Sequence, residues 1–258
     1  MEYVDNASLT EIKSTLRPSE AMAVIDTIAL VHAHSLKDTS WKDIPTVMWD
    51  DLMGENRSKH DIFQFIASIA KMDEERLQPL IKKFESIFEE VMDCDIGSKV
   101  LCSMNLQPVL CHGDLWINNL LWRKNGPTSR ELAAIIDWQL VHGGCAAEDL
   151  ARLFSSSLGP DDRRRHLDQL LQYYYTKLED ALGRAPPFSL HQVKESMFRL
   201  YPFLMTMALM SVGPLVTVKY KDLPRQEFEA IQRSLVDRAV ALLEDIMYYH
   251  EKYGFLNK

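Results

Sequence analysis

Paired cysteines are missing from this chain. Cys94, Cys102, Cys111 and Cys145 form no C-x-x-C pair and have no histidine nearby at zinc-ligand spacing, which argues against a zinc ribbon and for free thiols in a reducing compartment. An excess of positive charge is missing too. With 29 Lys and Arg against 37 Asp and Glu the net charge is -8, which argues against a broad footprint for nucleic acid or anionic lipid. The local run Arg163, Arg164, Arg165 reads as a solvated helix face. The opening "MEYVDNASLT" lacks the basic region and apolar run of a secretory signal, so a cytoplasmic protein is expected. A membrane span is also lacking. The stretch 200–218 carries no charge, but Pro202 and Pro214 bracket only about three helical turns and Gly213 reads as a stop, so a buried core helix is expected.

What is present is enough apolar material for a sizeable core: 47% of 258 residues are hydrophobic. Pro18 and Ser19 open a helix in which Met22, Ile25, Ile28 and Val31 recur, ending near the turn from His32 to Leu36. His32 and His34 read as core or capping histidines, with no acid or cysteine at ligand spacing. Two further helical patterns occupy 61–95, with Gly97 as their stop. From residue 161 the pattern is helical again: Leu167, Leu170, Leu171, Tyr174 and Leu178 share one face, "APPFS" breaks the chain, and Phe228, Ile231, Leu235, Leu242 and Ile246 mark a long last helix. No internal repeat is visible.

Between these blocks the period changes. Short apolar or β-branched runs at 108–111, 120–122 and 132–136 read as strands, the last two joined by the turn chemistry of "KNGPTSRE". The fold class is therefore α+β, mainly helical with a small β-hairpin.

The hairpin adjoins the chemically most pointed stretch, "VLCHGDLWINNLLW" at 109–122. Phosphoryl transfer from ATP needs a carboxylate to receive the acceptor hydroxyl proton and oxygen ligands for magnesium on the phosphates. "HGDLWINN" fits the catalytic-loop pattern H-R-D-L-x-x-x-N at every fixed position except the Arg, here Gly113. Asn119 follows Asp114 at the pattern's spacing, and Asp137 in "AAIIDWQ" ends the returning hairpin strand. The hairpin is expected to bring Asp137 back beside Asn119, with Asp114 held toward the acceptor.

These residues carry a resemblance. "VLCHGDLWINNLLW", "AAIIDWQLVHGG" and "AEDLARLF" resemble the CHK kinase-like family, also called ecdysteroid kinase-like, related to the choline kinases and aminoglycoside phosphotransferases. The later "LLQYYY" and "PPFSL" extend the likeness over most of the chain, and Trp116 after "HGDL" is a mark of the family where protein kinases commonly have Lys. The resemblance implies the C-terminal lobe of a protein-kinase-like fold, ATP and magnesium as cofactors, and a small-molecule alcohol as acceptor. It makes Asp114 the catalytic base, Asn119 a catalytic-loop residue and metal ligand, Asp137 the second metal ligand and His112 a support of the loop. Asp149 in "AEDLA" matches an acid that braces the catalytic segment, or is a helix cap or surface acid.

The departure lies at the front. The family covers the ATP phosphates with a glycine-rich loop and a strand Lys on an N-terminal lobe, whereas this chain has no glycine before Gly54. "MEYVDN" looks like the hinge that follows that lobe, and would place backbone groups of Glu2 and Val4 on the adenine, unless it is a frayed terminus. Residues 1–258 are then expected to form a single catalytic lobe, inactive alone and prone to self-association through its lobe-facing surface. Two functions compete: a small-molecule kinase, and a non-catalytic kinase-like scaffold. Trp116, Trp138, Tyr201, Phe203, Met205, Met207 and Met210 either line an apolar acceptor pocket or belong to the core.

Overall fold

In a computed structural model of the chain, the described residues are 4–11, 13–43, 46, 58–126, 129–212, 220 and 222–254. Glu2, Gly213 and Pro214, on which three of the expectations above rest, lie outside them. In chain order the elements are β1 (Ala7–Leu9), α1 (Pro18–Lys37), α2 (Lys59–Ala67), α3 (Glu74–Glu85), α4 (Phe88–Val91), α5 (Ile96–Ser103), β2 (Val109–Cys111), β3 (Leu120–Lys124), β4 (Arg130–Ile135), β5 (His142–Gly144), α6 (Ala146–Ser157), α7 (Pro160–Leu182), α8 (Leu190–Val212) and α9 (Arg225–Tyr253). The class is the expected one, mostly helical with small antiparallel sheets.

Helix α1 starts where the sequence signals it. Pro18 sits at the first helical position, where no N–H is needed, and the Glu20 carboxylate accepts the Arg17 backbone N–H at 2.8 Å. The same carboxylate accepts from the Arg130 Nε at 2.7 Å, tying the helix start to β4. Burial opposes ionisation there, but the Arg130 and Arg17 hydrogen bonds outweigh it and hold Glu20 down at about 2. Val24, Ile25, Ile28, His32 and Leu36 form the buried face, recurring at three and four residues, and that face lies along α7. Its partners on α7 are the expected stripe: Leu167, Leu170, Leu171, Tyr174 and Leu178 are all buried. A second layer is made by α8, which packs against both α6 and α9.

Three expectations are corrected. Gly97 does not stop a helix; it lies inside α5, where an added Cβ would sit 2.9 Å from the Glu148 carboxylate, and the break falls before Ile96 instead. Pro202 does not bound a helix, since α8 runs through it from Leu190. An interior proline removes one hydrogen bond, and here that loss is offset by burial on both sides, with Leu200, Tyr201, Leu204 and Met205 all in the core. Arg163 is not on a solvated face: it is buried and its Nη2 donates to Asp245 on α9 at 2.6 Å, while Arg164 and Arg165 are exposed as expected. No helix among the described residues is long and apolar enough to cross a membrane. All four cysteines are free thiols.

Two small sheets position the site. The hairpin of β3 and β4 is antiparallel, pairing Leu120 with Ile135, and β1 adds to its β3 edge. The second sheet pairs β2 with β5, Cys111 facing His142. Strands β1 and β5 were not legible in the sequence. Each has three residues, too few to show alternation, and "HGG" carries no strand preference.

Candidate active site

The loop from His112 to Asn119 leaves β2, makes a short 3-10 turn over Ile117–Asn119 and enters β3. Its start is held from below by Asp149, in the first turn of α6. The Asp149 carboxylate is fully buried and accepts the His112 N–H at 2.8 Å, the Gly113 N–H at 3.0 Å and the His32 Nε2–H at 3.2 Å. Burial pushes this carboxyl up, but the hydrogen bonds from His32 and from the His112 backbone outweigh it and hold it below the usual carboxylate range. With Nε2–H committed to Asp149, the His32 Nδ1 takes the buried Tyr174 hydroxyl at 2.8 Å. Asp149 is thus the bracing acid, and His32 is a core histidine whose acid partner lies far away in sequence. His32, Cys111 and Asp149 lie close enough together to resemble a metal cluster. Their polar atoms are already committed: the Cys111 thiol donates to the Cys145 carbonyl at 3.3 Å, and burial pushes that thiol well up.

Gly113 turns the chain with φ of 82°, and a Cβ there would lie 2.2 Å from the Leu140 carbonyl oxygen. This is why the Arg of the commoner pattern is absent: any side chain has to displace the neighbouring turn. His112 supports the loop as expected. Its Nδ1 accepts the Asp114 N–H at 3.2 Å and its Nε2–H donates to the Ile136 carbonyl at 2.9 Å, so the ring bridges the loop to the end of β4. Trp138 covers it, with ring centroids 4.5 Å apart.

Asp114 is partly buried and doubly held. Its Oδ1 receives Nε and Nη2 of Arg152, both at 3.0 Å. Asn119 Nδ2 donates to the Asp114 carbonyl at 2.9 Å and approaches its Oδ2 at 3.3 Å. These bonds fix the Asn119 amide with Oδ1 facing away from Asp114. Asp137 comes back beside Asn119, because Ile136 N–H donates to the Asn119 carbonyl at 2.9 Å. Asp137 itself is exposed and adopts a left-handed conformation with φ of 64° and ψ of 60°, uncommon for a residue other than glycine and typical of functional sites. The hairpin therefore returns the chain to Asn119 one residue before Asp137, while Asn119 is itself bonded to Asp114. Asp137 is an exposed carboxylate and the Asn119 amide oxygen is turned from Asp114, and hard oxygen atoms of these kinds are the donors that suit magnesium.

Sequence reasoning missed Arg152. The signal was the spacing in "EDLAR", which puts Asp149 and Arg152 three residues apart on one helix face. It also missed His142, whose Nε2 donates to Glu148 at 3.0 Å and whose Nδ1 donates to the Leu140 carbonyl at 2.8 Å. Burial would lower this histidine, but the Glu148 hydrogen bond and charge outweigh it and raise it to about 9. A raised folded-state value stabilises the protein fully below the unfolded value near 6.5 and loses that contribution as pH climbs through about 9. The melting temperature is therefore expected to fall between those two pH values. Glu148→Gln should flatten that slope; an unchanged slope in the variant would locate its origin elsewhere. Of the apolar residues weighed for an acceptor pocket, Tyr201, Phe203, Met205 and Met207 are core, Met210 packs against it, and Trp116 and Trp138 are half-buried at the loop.

The order of histidine-glycine-aspartate loop, asparagine and hairpin carboxylate is that of a kinase-like site on a mainly helical α+β protein. The chain belongs to the family DUF1679, described as "Uncharacterized oxidoreductase dhs-27", which matches residues 1–253. One relative is the "Uncharacterized kinase-like protein D1044.1" of Caenorhabditis elegans, 25% identical over 88% of this chain and 60% of its own length. Another is "Uncharacterized oxidoreductase dhs-27" of the same organism, 34% identical over 46% of this chain but only 16% of its own length. The chain thus spans less than two thirds of both relatives. Similar solved structures include a Plasmodium vivax ethanolamine kinase, 15% identical with a TM-score of 0.41 over 92% of this chain and 63% of that one. A Cryptosporidium parvum choline kinase is 14% identical with a TM-score of 0.44, over 97% and 69% respectively.

Proposed function

We propose that the full-length protein is an ATP-dependent phosphotransferase that places phosphate on the hydroxyl of a small-molecule alcohol. The observation that carries this reading is the hydrogen-bonded set of Asp114, Asn119 and the hairpin end at Asp137. The kinase-like relative, aligned over most of the chain, supports it. Asp114 is the group that receives the acceptor hydroxyl proton, since its Oδ1 is held by Arg152 while Oδ2 has only the longer Asn119 contact. Asn119 and Asp137 are the residues that would hold magnesium, which when bound neutralises charge on the transferring phosphate. His112, Gly113 and Asp149 keep the loop in the conformation that presents Asp114.

Asp137→Ala is expected to weaken magnesium-dependent nucleotide binding more than Asn119→Ala does, because a carboxylate brings a formal charge to a hard dication and an amide does not. Calorimetric titration of ATP with and without magnesium checks this. Identical magnesium dependence in wild type and Asp137→Ala would take Asp137 out of the site.

A further inference from the structure

We propose that Arg152 makes this site select neutral alcohols over ammonium-bearing ones, because its guanidinium already occupies the place beside Asp114 where a cationic acceptor would set its charge. The inference rests on the phosphotransferase reading and names the acceptor class of that same site. A carboxylate next to an aromatic face is the chemistry that attracts a cation, and Asp114 and Trp116, two residues apart on the loop, flank one guanidinium. Here the pair is filled from within. Arg152 reaches over from α6, places Nε and Nη2 both 3.0 Å from Asp114 Oδ1, and lays its guanidinium carbon 5.3 Å from the Trp116 ring centroid. Its side chain is only 5% exposed, so the guanidinium sits beneath the surface with Asp114 as its partner.

Arg152 is a positioning residue for the base, and the charge it fixes there has a second effect. An amino alcohol such as choline or ethanolamine carries its positive charge two carbons from the hydroxyl. With that hydroxyl at Asp114, the ammonium meets a carboxylate whose charge the guanidinium already cancels, so it gives up its hydration for no net attraction, a cost of about tenfold or more in affinity. A neutral alcohol of the same shape has no such charge to desolvate and meets no such penalty.

The test compares choline with 3,3-dimethylbutan-1-ol, its uncharged carbon isostere, by calorimetric or NMR titration of the full-length protein without nucleotide. Wild type is expected to favour the isostere by about tenfold or more. Arg152→Lys should keep that preference. Arg152→Met, checked for folding by circular dichroism, should bring the ratio close to one or reverse it by opening the Asp114–Trp116 pair to the ammonium; Arg152→Gln serves if the Met variant does not fold. The proposal is overturned if wild type binds choline as well as the isostere, if the ratio does not move when the charge is removed, or if neither alcohol binds any of the proteins. The ratio is read without ATP or turnover. Absence of phosphate transfer with the expected ratio would thus sink the kinase reading and leave the filter, and transfer with choline preferred would do the reverse.

Discussion

Asp114→Asn is expected to lower phosphate transfer by the full-length protein by about 10²–10⁴-fold, the range that a positioned proton acceptor contributes, while leaving nucleotide affinity within a few-fold. The substitution is nearly isosteric. An amide oxygen at the Oδ1 position still accepts from Arg152, whose two nitrogens lie 3.0 Å away, and the residue's carbonyl still accepts from Asn119, so the loop should keep its shape although the longer Asn119 contact at Oδ2 is lost. What is lost is the capacity to take the hydroxyl proton of the acceptor. On the proposed reading the magnesium–nucleotide is held by Asn119 and Asp137, which the substitution leaves in place. The effect should therefore appear in kcat and not in the dissociation constant for magnesium–ATP. Turnover close to wild type would remove Asp114 from the role of base.

The second large effect is on stability. Asp149→Ala should destabilise the chain by about 4 kcal/mol, the scale for stripping one member from a buried ionic and hydrogen-bonded set, and lower the melting temperature by roughly 10 °C for a domain of this size. Three donors lose their acceptor at once: the N–H groups of His112 and Gly113 and the Nε2–H of His32. None of them has water to turn to, since His112 and His32 are fully buried. Asp149→Asn keeps one acceptor oxygen and should recover part of the loss. Because the two N–H groups belong to the residues before Asp114, both variants should also loosen the base. Thermal melts of the three proteins check the order; a melting temperature for Asp149→Ala within a degree or two of wild type would mean that the loop is braced by something else.

How far the sequence revealed this site follows from where its contacts lie. His112, Asp114 and Asn119 sit within eight residues, so their spacing alone reports their chemistry, and the hairpin that returns Asp137 is itself a local pattern. The amphipathic faces of α1 and α7 were equally legible, because helical period is a local property. Arg152 reaches Asp114 across 38 residues and His32 reaches Asp149 across 117, and no spacing rule links residues that only tertiary packing brings together. The same reason hid Arg163, whose run of three arginines looks like a solvated face until Asp245 arrives from 82 residues away. Pro202 misled for a different reason: a proline rule describes the isolated helix, and the burial of α8 on two sides overrides it. The likeness to a kinase-like family, read from the motif residues, is matched by the kinase-like relative that aligns over most of the chain.

The most direct measurement is product formation. Full-length protein is incubated with magnesium and ATP carrying a labelled γ-phosphate, together with a panel of neutral sterol-like, sugar and aliphatic alcohols and their amino-alcohol counterparts, and the phosphate esters are identified by mass spectrometry. The expected result is a labelled phosphate monoester of a neutral alcohol, formed only with magnesium and lost in Asp114→Asn. Label released only as inorganic phosphate across the panel, or an ester whose yield is the same in Asp114→Asn, would contradict the assignment of this site as a phosphotransferase.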